Sequence, residues 1–93
     1  MTEVAKRLRL HGEVQGVFYR AWSAEQARGL ALRGWVRNRR DGTVEMMVQG
    51  AEEAVRQFIE RCREGPPAAR VERIDVEEAS EPAPAGFEKR PTV

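Results

Sequence analysis

A strand pattern runs into a helical pattern through one short segment, Gly12-Glu13-Val14-Gln15-Gly16-Val17-Phe18-Tyr19-Arg20. Before it, apolar residues at positions 4, 8 and 10 alternate with arginines, which is typical of a strand with one buried face. Glycine lets a backbone turn its N–H groups inward, and the start of a helix adds the positive end of the helix dipole. Arg20 can add two parallel, charged hydrogen bonds. The segment therefore predicts a loop that binds a small tetrahedral anion such as phosphate, although glycines before a helix are a weak signal by themselves.

Two helices are predicted from apolar residues at helical spacing. The first runs from about residue 19 to residue 30, and Gly29 weakens its last turn by ~1 kcal/mol relative to alanine. The second follows Gly50 and has an uninterrupted apolar stripe that includes Phe58 and Cys62. Gly65-Pro66-Pro67 ends it.

Three further segments are predicted to form strands. Residues 32–39 and 44–48 alternate on either side of Asp41-Gly42, a strong signal for a tight turn, so they form a hairpin. Residues 70–78 form a last long strand, in which a bulge is expected because Val71 is out of phase with Ile74. Residues 87–90 could add a short edge strand, which Pro91 would stop.

The predicted order of elements is strand, helix, strand, strand, helix, strand. This order indicates an α+β fold of the ferredoxin-like, split β-α-β type (βαββαβ). We expect an antiparallel sheet of four strands plus a short fifth, with two helices on one face. Residues 1–93 are expected to form a single domain. The fold does not decide the function, because enzymes, RNA binders and metal carriers share it.

Composition narrows the classes of function. The formal net charge is only +1, so an anion must be recognised by a local arrangement of groups. Cys62 is the only cysteine, which excludes an internal disulfide and a cysteine-based metal site. No apolar run approaches a membrane span, and the N-terminus lacks the apolar core of a signal peptide. We therefore expect a cytoplasmic monomer without metal or cofactor that binds neither membrane nor nucleic acid.

A second segment gives the loop a specific meaning. It begins Gly34-Trp35-Val36-Arg37-Asn38, continues through the Asp41-Gly42 turn and ends at Gly50. Together with the pattern from Leu10 to Arg20, it resembles the two signatures of the acylphosphatases, small hydrolases of carboxyl-phosphate anhydrides. The resemblance runs from Leu8 to Phe87. Tyr19 stands where phenylalanine is more usual in the family.

The resemblance implies a two-part site for an acyl phosphate. By this likeness Arg20 binds the phosphate, and Asn38 orients the attacking water through its side-chain amide. The phosphate-binding loop would comprise Gln15, Gly16, Val17, Phe18, Tyr19 and Arg20. The implied activity is acylphosphate phosphohydrolase (EC 3.6.1.7), and inorganic phosphate, the product, or sulfate in its place would bind as a product-like ligand.

The chemistry fits the side chains that the sequence offers. A carboxylate is so stable a leaving group that no strong general acid is required, and phosphoryl transfer asks mainly for positioning and charge stabilisation. The chain offers no evident metal cluster, serine–histidine pair or activated cysteine. Direct attack by water is the mechanism that this inventory leaves, and the substrate's own phosphate could accept the proton.

Two other functions stay open at this point. An acylphosphatase-like domain could bind phosphate or a partner protein without turnover. A single-stranded RNA binder could use the same sheet, but it should carry an exposed aromatic pair on its two central strands, and none is visible. The arginines at positions 37, 39 and 40 could attract anionic substrates or form a solvated strand face.

Several side chains are expected to be structural. Gln15 is assigned only a backbone or loop-shaping role, His11 an exposed structural one, and Cys62 a place in the core. Val17, Phe18 and Tyr19 are expected to pack beneath the loop, with Tyr19 near the site.

Two further parts of the chain depart from the family pattern, the end of the first helix and the tail. Ala31 stands where glycine is common, and a left-handed conformation there would cost ~1 kcal/mol. Lys89 and Pro91 stand where apolar or aromatic residues are common, which bears on the fifth strand and not on the site.

Overall fold

Five strands and two helices follow one another along the chain in the computed structural model, which describes residues 2–93. They are β1 (Glu3–Glu13), α1 (Tyr19–Gly29), β2 (Arg33–Asn38), β3 (Val44–Ala51), α2 (Glu52–Glu64), β4 (Arg70–Glu78) and β5 (Phe87–Lys89). This is the predicted order with the short fifth strand added at its end. Within the described residues, no helix is both long enough and apolar enough to cross a membrane.

The strands lie side by side in the order β4-β1-β3-β2-β5. The first four pair in antiparallel fashion, as predicted, whereas β5 runs parallel to β2 and makes the sheet mixed. β5 ends at Lys89, before Pro91, and the Arg90 N–H still donates to the carbonyl of Val36 at 2.8 Å. The tail therefore continues along β2, the strand that ends in Asn38.

Both helices contribute to one core on the same face of the sheet. The predicted stripe of α2 is buried at Val55, Phe58 and Cys62. Phe58 packs against Phe87 of β5, with ring centroids 6.0 Å apart. Because Phe87 belongs to this core, it fixes which face of β5 the helices cover.

The expected bulge lies between β1 and β4. His11 pairs with Arg73 and Gly12 with Val71, so Glu72 has no opposite residue. Gly12 has a φ of 123°, and a Cβ atom there would overlap the carbonyl oxygen of Arg70. Only glycine therefore fits where β1 bends toward the loop.

The end of α1 has the left-handed residue that the sequence made questionable. Ala31 has a φ of 58°. Its N–H donates to the carbonyl of Arg28 at 3.1 Å, and the N–H of Leu32 donates to the carbonyl of Ala27 at 2.9 Å. These two bonds form a Schellman motif, which normally has glycine in the place of Ala31.

Candidate active site

One cleft of about 560 Å³ brings together residues that are far apart in the sequence. Its walls come from the loop and the start of α1, from the end of β2, and from β5 with the tail that follows it. The lining residues are Val14, Gly16, Phe18, Tyr19, Arg20, Ala21, Asn38, Lys89, Arg90 and Pro91. Arg20 and Asn38, the two predicted catalytic residues, therefore face the same space. Within the described part of the chain, no acidic residue lines it.

The loop before α1 contributes Gly16 and Phe18 to the wall of this cleft. Gly16 and Phe18 both have a positive φ, of 72° and 61°. No side chain caps the start of α1, and its first turn contains no acidic residue. Within residues 2–93, the N–H groups of residues 15–18 donate to no backbone carbonyl. Free N–H groups at a helix start, together with the helix dipole, form a site suited to an anion.

Arg20 stands in the first turn of α1 with its guanidinium unpaired. No carboxylate within residues 2–93 forms an ion pair with it. Its backbone carbonyl accepts a hydrogen bond from the hydroxyl of Ser23 at 3.0 Å, which ties down the first turn. Because a guanidinium is charged at any ordinary pH, Arg20 offers a fixed positive charge and a planar set of donors to the cleft.

Asn38 is the last residue of β2 and lies on the sheet face that the helices cover. Val36, two residues earlier on the same face, is fully buried. The backbone of Asn38 is held because its carbonyl accepts from the Val93 N–H at 3.1 Å. Its side-chain amide forms no hydrogen bond with any residue from 2 to 93. The amide is thus positioned but free to bind a water molecule.

Gln15 has a larger role than the loop-shaping one expected for it. Its side-chain Nε2 donates to the carbonyl of Arg39 at 2.7 Å and to that of Thr43 at 2.8 Å. These carbonyls belong to the turn between β2 and β3, so the side chain ties the loop to the hairpin that carries Asn38. No local sequence pattern predicts this link, because the partners of Gln15 lie in the β2–β3 hairpin and not near it in the sequence.

The arginines on either side of Asn38 are held on the opposite face of the sheet. Glu45, 5% exposed, accepts from Arg37 Nε at 2.8 Å and from Arg39 Nη1 at 2.9 Å. Burial by itself would raise the pKa of Glu45, but the hydrogen bonds and charges of Arg37 and Arg39 outweigh it and hold the pKa below its ordinary value. The sequence leaves open whether the arginines at positions 37, 39 and 40 attract substrate. The pairing of Arg37 and Arg39 with Glu45 assigns these two to the framework.

The two aromatic residues of the loop behave differently. Tyr19 is buried, and its hydroxyl donates to the carbonyl of Cys62 at 2.6 Å. Burial raises the pKa of this phenol, so the hydroxyl stays protonated and committed to the core. The expectation that Phe18 packs beneath the loop is wrong, because its side chain is 85% exposed. The left-handed backbone of Phe18 turns it outward at the edge of the cleft, whereas Val17 packs against the core as expected.

The other predicted structural residues lie away from the cleft. His11 on β1 lies beside Asp75 on the neighbouring strand β4, with His11 Nε2 3.0 Å from Asp75 Oδ2. Cys62 is fully buried. Among residues 2–93, no three or more histidine, cysteine, aspartate or glutamate side chains form a group that could hold a metal ion. The sequence pattern bears on Lys89 only through the fifth strand, whereas in the structure Lys89 lies in the wall of the cleft.

Comparison with known proteins agrees with this geometry. The family model named Acylphosphatase matches residues 6–89. An acylphosphatase from Acidovorax sp. (strain JS42) is 54% identical over 97% of this chain and 93% of its own. The solved acylphosphatases of Coxiella burnetii and Bacillus subtilis superpose with TM-scores of 0.90 and 0.90, at 34% and 35% identity. They match 95% and 94% of this chain and 93% and 98% of their own. The chain therefore belongs to the acylphosphatase family, the hydrolases of carboxyl-phosphate anhydrides.

Proposed function

We propose that the chain hydrolyses acyl phosphates in the cleft, where the loop of residues 15–20 and Arg20 bind the phosphoryl group and Asn38 orients the attacking water. One observation carries the proposal. Two side chains without a partner among residues 2–93, the guanidinium of Arg20 and the amide of Asn38, line the same cleft beside free backbone N–H groups.

The loop and Arg20 supply what the transferring phosphoryl group needs most. Its three equatorial oxygens carry the charge of the transition state, and donors already in place stabilise that charge at no further cost in reorganisation. Arg20 can bind two of the oxygens with parallel hydrogen bonds. The free N–H groups of the loop donate hydrogen bonds to the remaining oxygen and add further hydrogen bonds to the first two oxygens.

Asn38 supplies the other half of the reaction. Its amide oxygen accepts a hydrogen bond from the water and so aims the water's lone pair at phosphorus. The water oxygen forms a bond to phosphorus while the bond between phosphorus and the acyl oxygen breaks, and that oxygen leaves with the electron pair as a carboxylate. A phosphate oxygen of the substrate takes the proton of the water. The products are a carboxylate and inorganic phosphate, and inorganic phosphate or sulfate also occupies the loop as a product-like ligand.

We also propose that residues 1–93 form one domain that acts as a cytoplasmic monomer without cofactor. Residues 2–93 form one five-stranded sheet with one core, which supports a single domain. Met1 lies outside the described residues. We propose that the chain binds neither nucleic acid nor membranes. Trp35, the large aromatic of the open sheet face, is 3% exposed beneath the guanidinium groups of Arg37 and Arg90.

Turnover of benzoyl phosphate in the presence of a chelator tests the assignment. We expect Arg20→Gln to abolish hydrolysis while circular dichroism shows an unchanged fold. Arg40→Gln is the matched control, because Arg40 is an exposed arginine close to Asn38 in sequence that does not line the cleft. Wild-type rates in Arg20→Gln would overturn the assignment. Phosphate binding by the unmodified chain without any turnover would favour a non-catalytic binding module.

A further inference from the structure

We propose that the cleft contains a second anion subsite at Lys89, which favours acyl phosphates whose acyl group carries its own negative charge. The subsite rests on the proposed function, because it presumes that the loop and Arg20 hold the phosphoryl end. It assigns to Lys89 the recognition of the other end of the substrate.

The strand pairing directs Lys89 toward the reacting groups. In the parallel ladder Lys89 is opposite Val36, and Phe87 is opposite Gly34. Phe87 and Val36 both belong to the core beneath the helices, so Lys89 extends from the same sheet face. Asn38 lies two residues beyond Val36 on that face. Neighbouring strands are about 4.8 Å apart and two residues of a strand span about 6.6 Å, so the flexible stem of Lys89 starts close to Asn38.

The ammonium of Lys89 has no acidic partner within residues 2–93. Its neighbour Arg90 is bound differently, since Arg90 Nε is 3.3 Å from Glu88 Oε2 and its guanidinium lies over the ring of Trp35. Among residues 2–93, no side-chain carboxylate lines the cleft and offsets the charge of Lys89. Lys89 is also exposed, which leaves its ammonium free to meet a ligand.

The phosphoryl group does not need this charge. A phosphoryl group presents three non-bridging oxygens, and two donors of the Arg20 guanidinium together with the four loop N–H groups supply two donors for each of these oxygens. Apart from Arg20, the cationic residues in the wall of the cleft are Lys89 and Arg90. Arg90 is held by Glu88 and Trp35, which leaves Lys89 for the acyl end of the substrate. An ammonium is a compact point charge without the planar geometry of a guanidinium, so it can bind either a carboxylate or a phosphate-type group. The shared chemistry is an anionic group on the acyl part of the substrate.

A matched substrate series tests the subsite. The kcat/KM of the unmodified chain is measured for 4-carboxybenzoyl phosphate, for its neutral methyl ester, and for the 4-phosphono analogue. Each is measured again in Lys89→Gln, Lys89→Arg and Lys6→Gln. Lys6 is the matched control, because it is the other lysine of the chain, pairs with Glu78 and does not line the cleft.

We expect the unmodified chain to prefer a charged substrate to the ester. In Lys89→Gln that preference should fall by about two- to fivefold, which is the size of an exposed ion pair. Lys89→Arg should keep the preference and Lys6→Gln should not change it. The effect of Lys89→Gln is then compared between the carboxylate and the phosphono substrate. The substrate with the larger fall in kcat/KM carries the group that Lys89 binds better.

Two results would overturn the subsite. One is an unchanged kcat/KM for all three substrates in Lys89→Gln, and the other is an equal fall in kcat/KM for charged and neutral substrates, which would place Lys89 at the phosphoryl group. Failure of the proposed function is recognised separately, as full turnover of benzoyl phosphate by Arg20→Gln, whatever Lys89 does.

Discussion

The side-chain amide of Gln15 donates to the backbone carbonyl of Arg39, 2.7 Å away, and thereby joins the loop before α1 to the strand end that carries Asn38. The same amide nitrogen donates to the carbonyl of Thr43 at 2.8 Å. Loop and strand are far apart in the sequence, so their relative position depends on this link as well as on the core. An error of about 1 Å in such positioning can cost on the order of 10²-fold in rate.

Replacing Gln15 by methionine should therefore lower both stability and turnover. The side-chain volume is kept and two hydrogen bonds are lost. Each carbonyl keeps a second donor, because Gly42 N donates to Arg39 O at 3.1 Å and Arg39 N to Thr43 O at 2.9 Å. Each lost bond should thus lower the free energy of unfolding by about 1 kcal/mol, which urea denaturation measures. The rise in activation free energy, calculated from kcat, should be larger than this loss of stability.

Gln57→Met is the matched control, because Gln57 is exposed on α2 away from the cleft. If Gln15→Met kept the kcat of the unmodified chain, the link would be a purely structural contact.

Truncation of Asn38 separates water positioning from phosphate binding. Asn38→Ala removes the amide without touching the loop, so the barrier should rise by ~3 kcal/mol, by analogy with other lost transition-state hydrogen bonds. That corresponds to a fall in kcat of about 10²-fold. Calorimetric titration with inorganic phosphate should show affinity close to that of the unmodified chain. Loss of phosphate binding together with turnover would mean that Asn38 belongs to the phosphate site.

The buried carboxylate of Glu45 predicts a dependence of stability on pH. Its pKa is lower in the folded chain than in the unfolded one, because Arg37 and Arg39 donate to its carboxylate. Such a group stabilises the fold fully above its unfolded pKa of about 4.3. The stabilisation is lost as the pH falls through the folded pKa.

Urea denaturation of Glu45→Gln and the unmodified chain from pH 7 to pH 2 measures this contribution. At pH 7 the variant should be less stable by about 2 kcal/mol, the size of a hydrogen bond to a charged group. The gap should narrow below a pH of about 4.3 as the carboxylate of the unmodified chain takes up its proton. A gap that stays constant over the whole range would show that the charge of Glu45 does not matter.

The parts of the site that the sequence predicted have causes close by in the chain. Strict alternation fixes which face of β2 carries Val36 and Asn38, and the spacing of glycines before Arg20 indicates a loop with free N–H groups. Phe18 could not be predicted in the same way, because hydrophobicity argues for burial while the left-handed backbone at this residue turns the ring outward. Gln15 and Lys89 depend on pairings between distant segments. Their roles become visible only when the loop, the hairpin and the edge strand stand side by side.

The left-handed residue at the end of α1 provides a test of backbone strain with a defined sign. Ala31 has a φ of 58°, where glycine avoids a penalty that any side chain incurs. Ala31→Gly should therefore raise the free energy of unfolding by ~1 kcal/mol, even though it removes a methyl group and loosens the unfolded chain. The same substitution inside α2, Ala54→Gly, should lower it by about 1 kcal/mol. Thermal unfolding would show the two variants on opposite sides of the unmodified chain, separated by several degrees, about 4–8 °C for each 1 kcal/mol in a domain of this size. If both substitutions lowered the melting temperature, the Schellman motif would not be strained at Ala31.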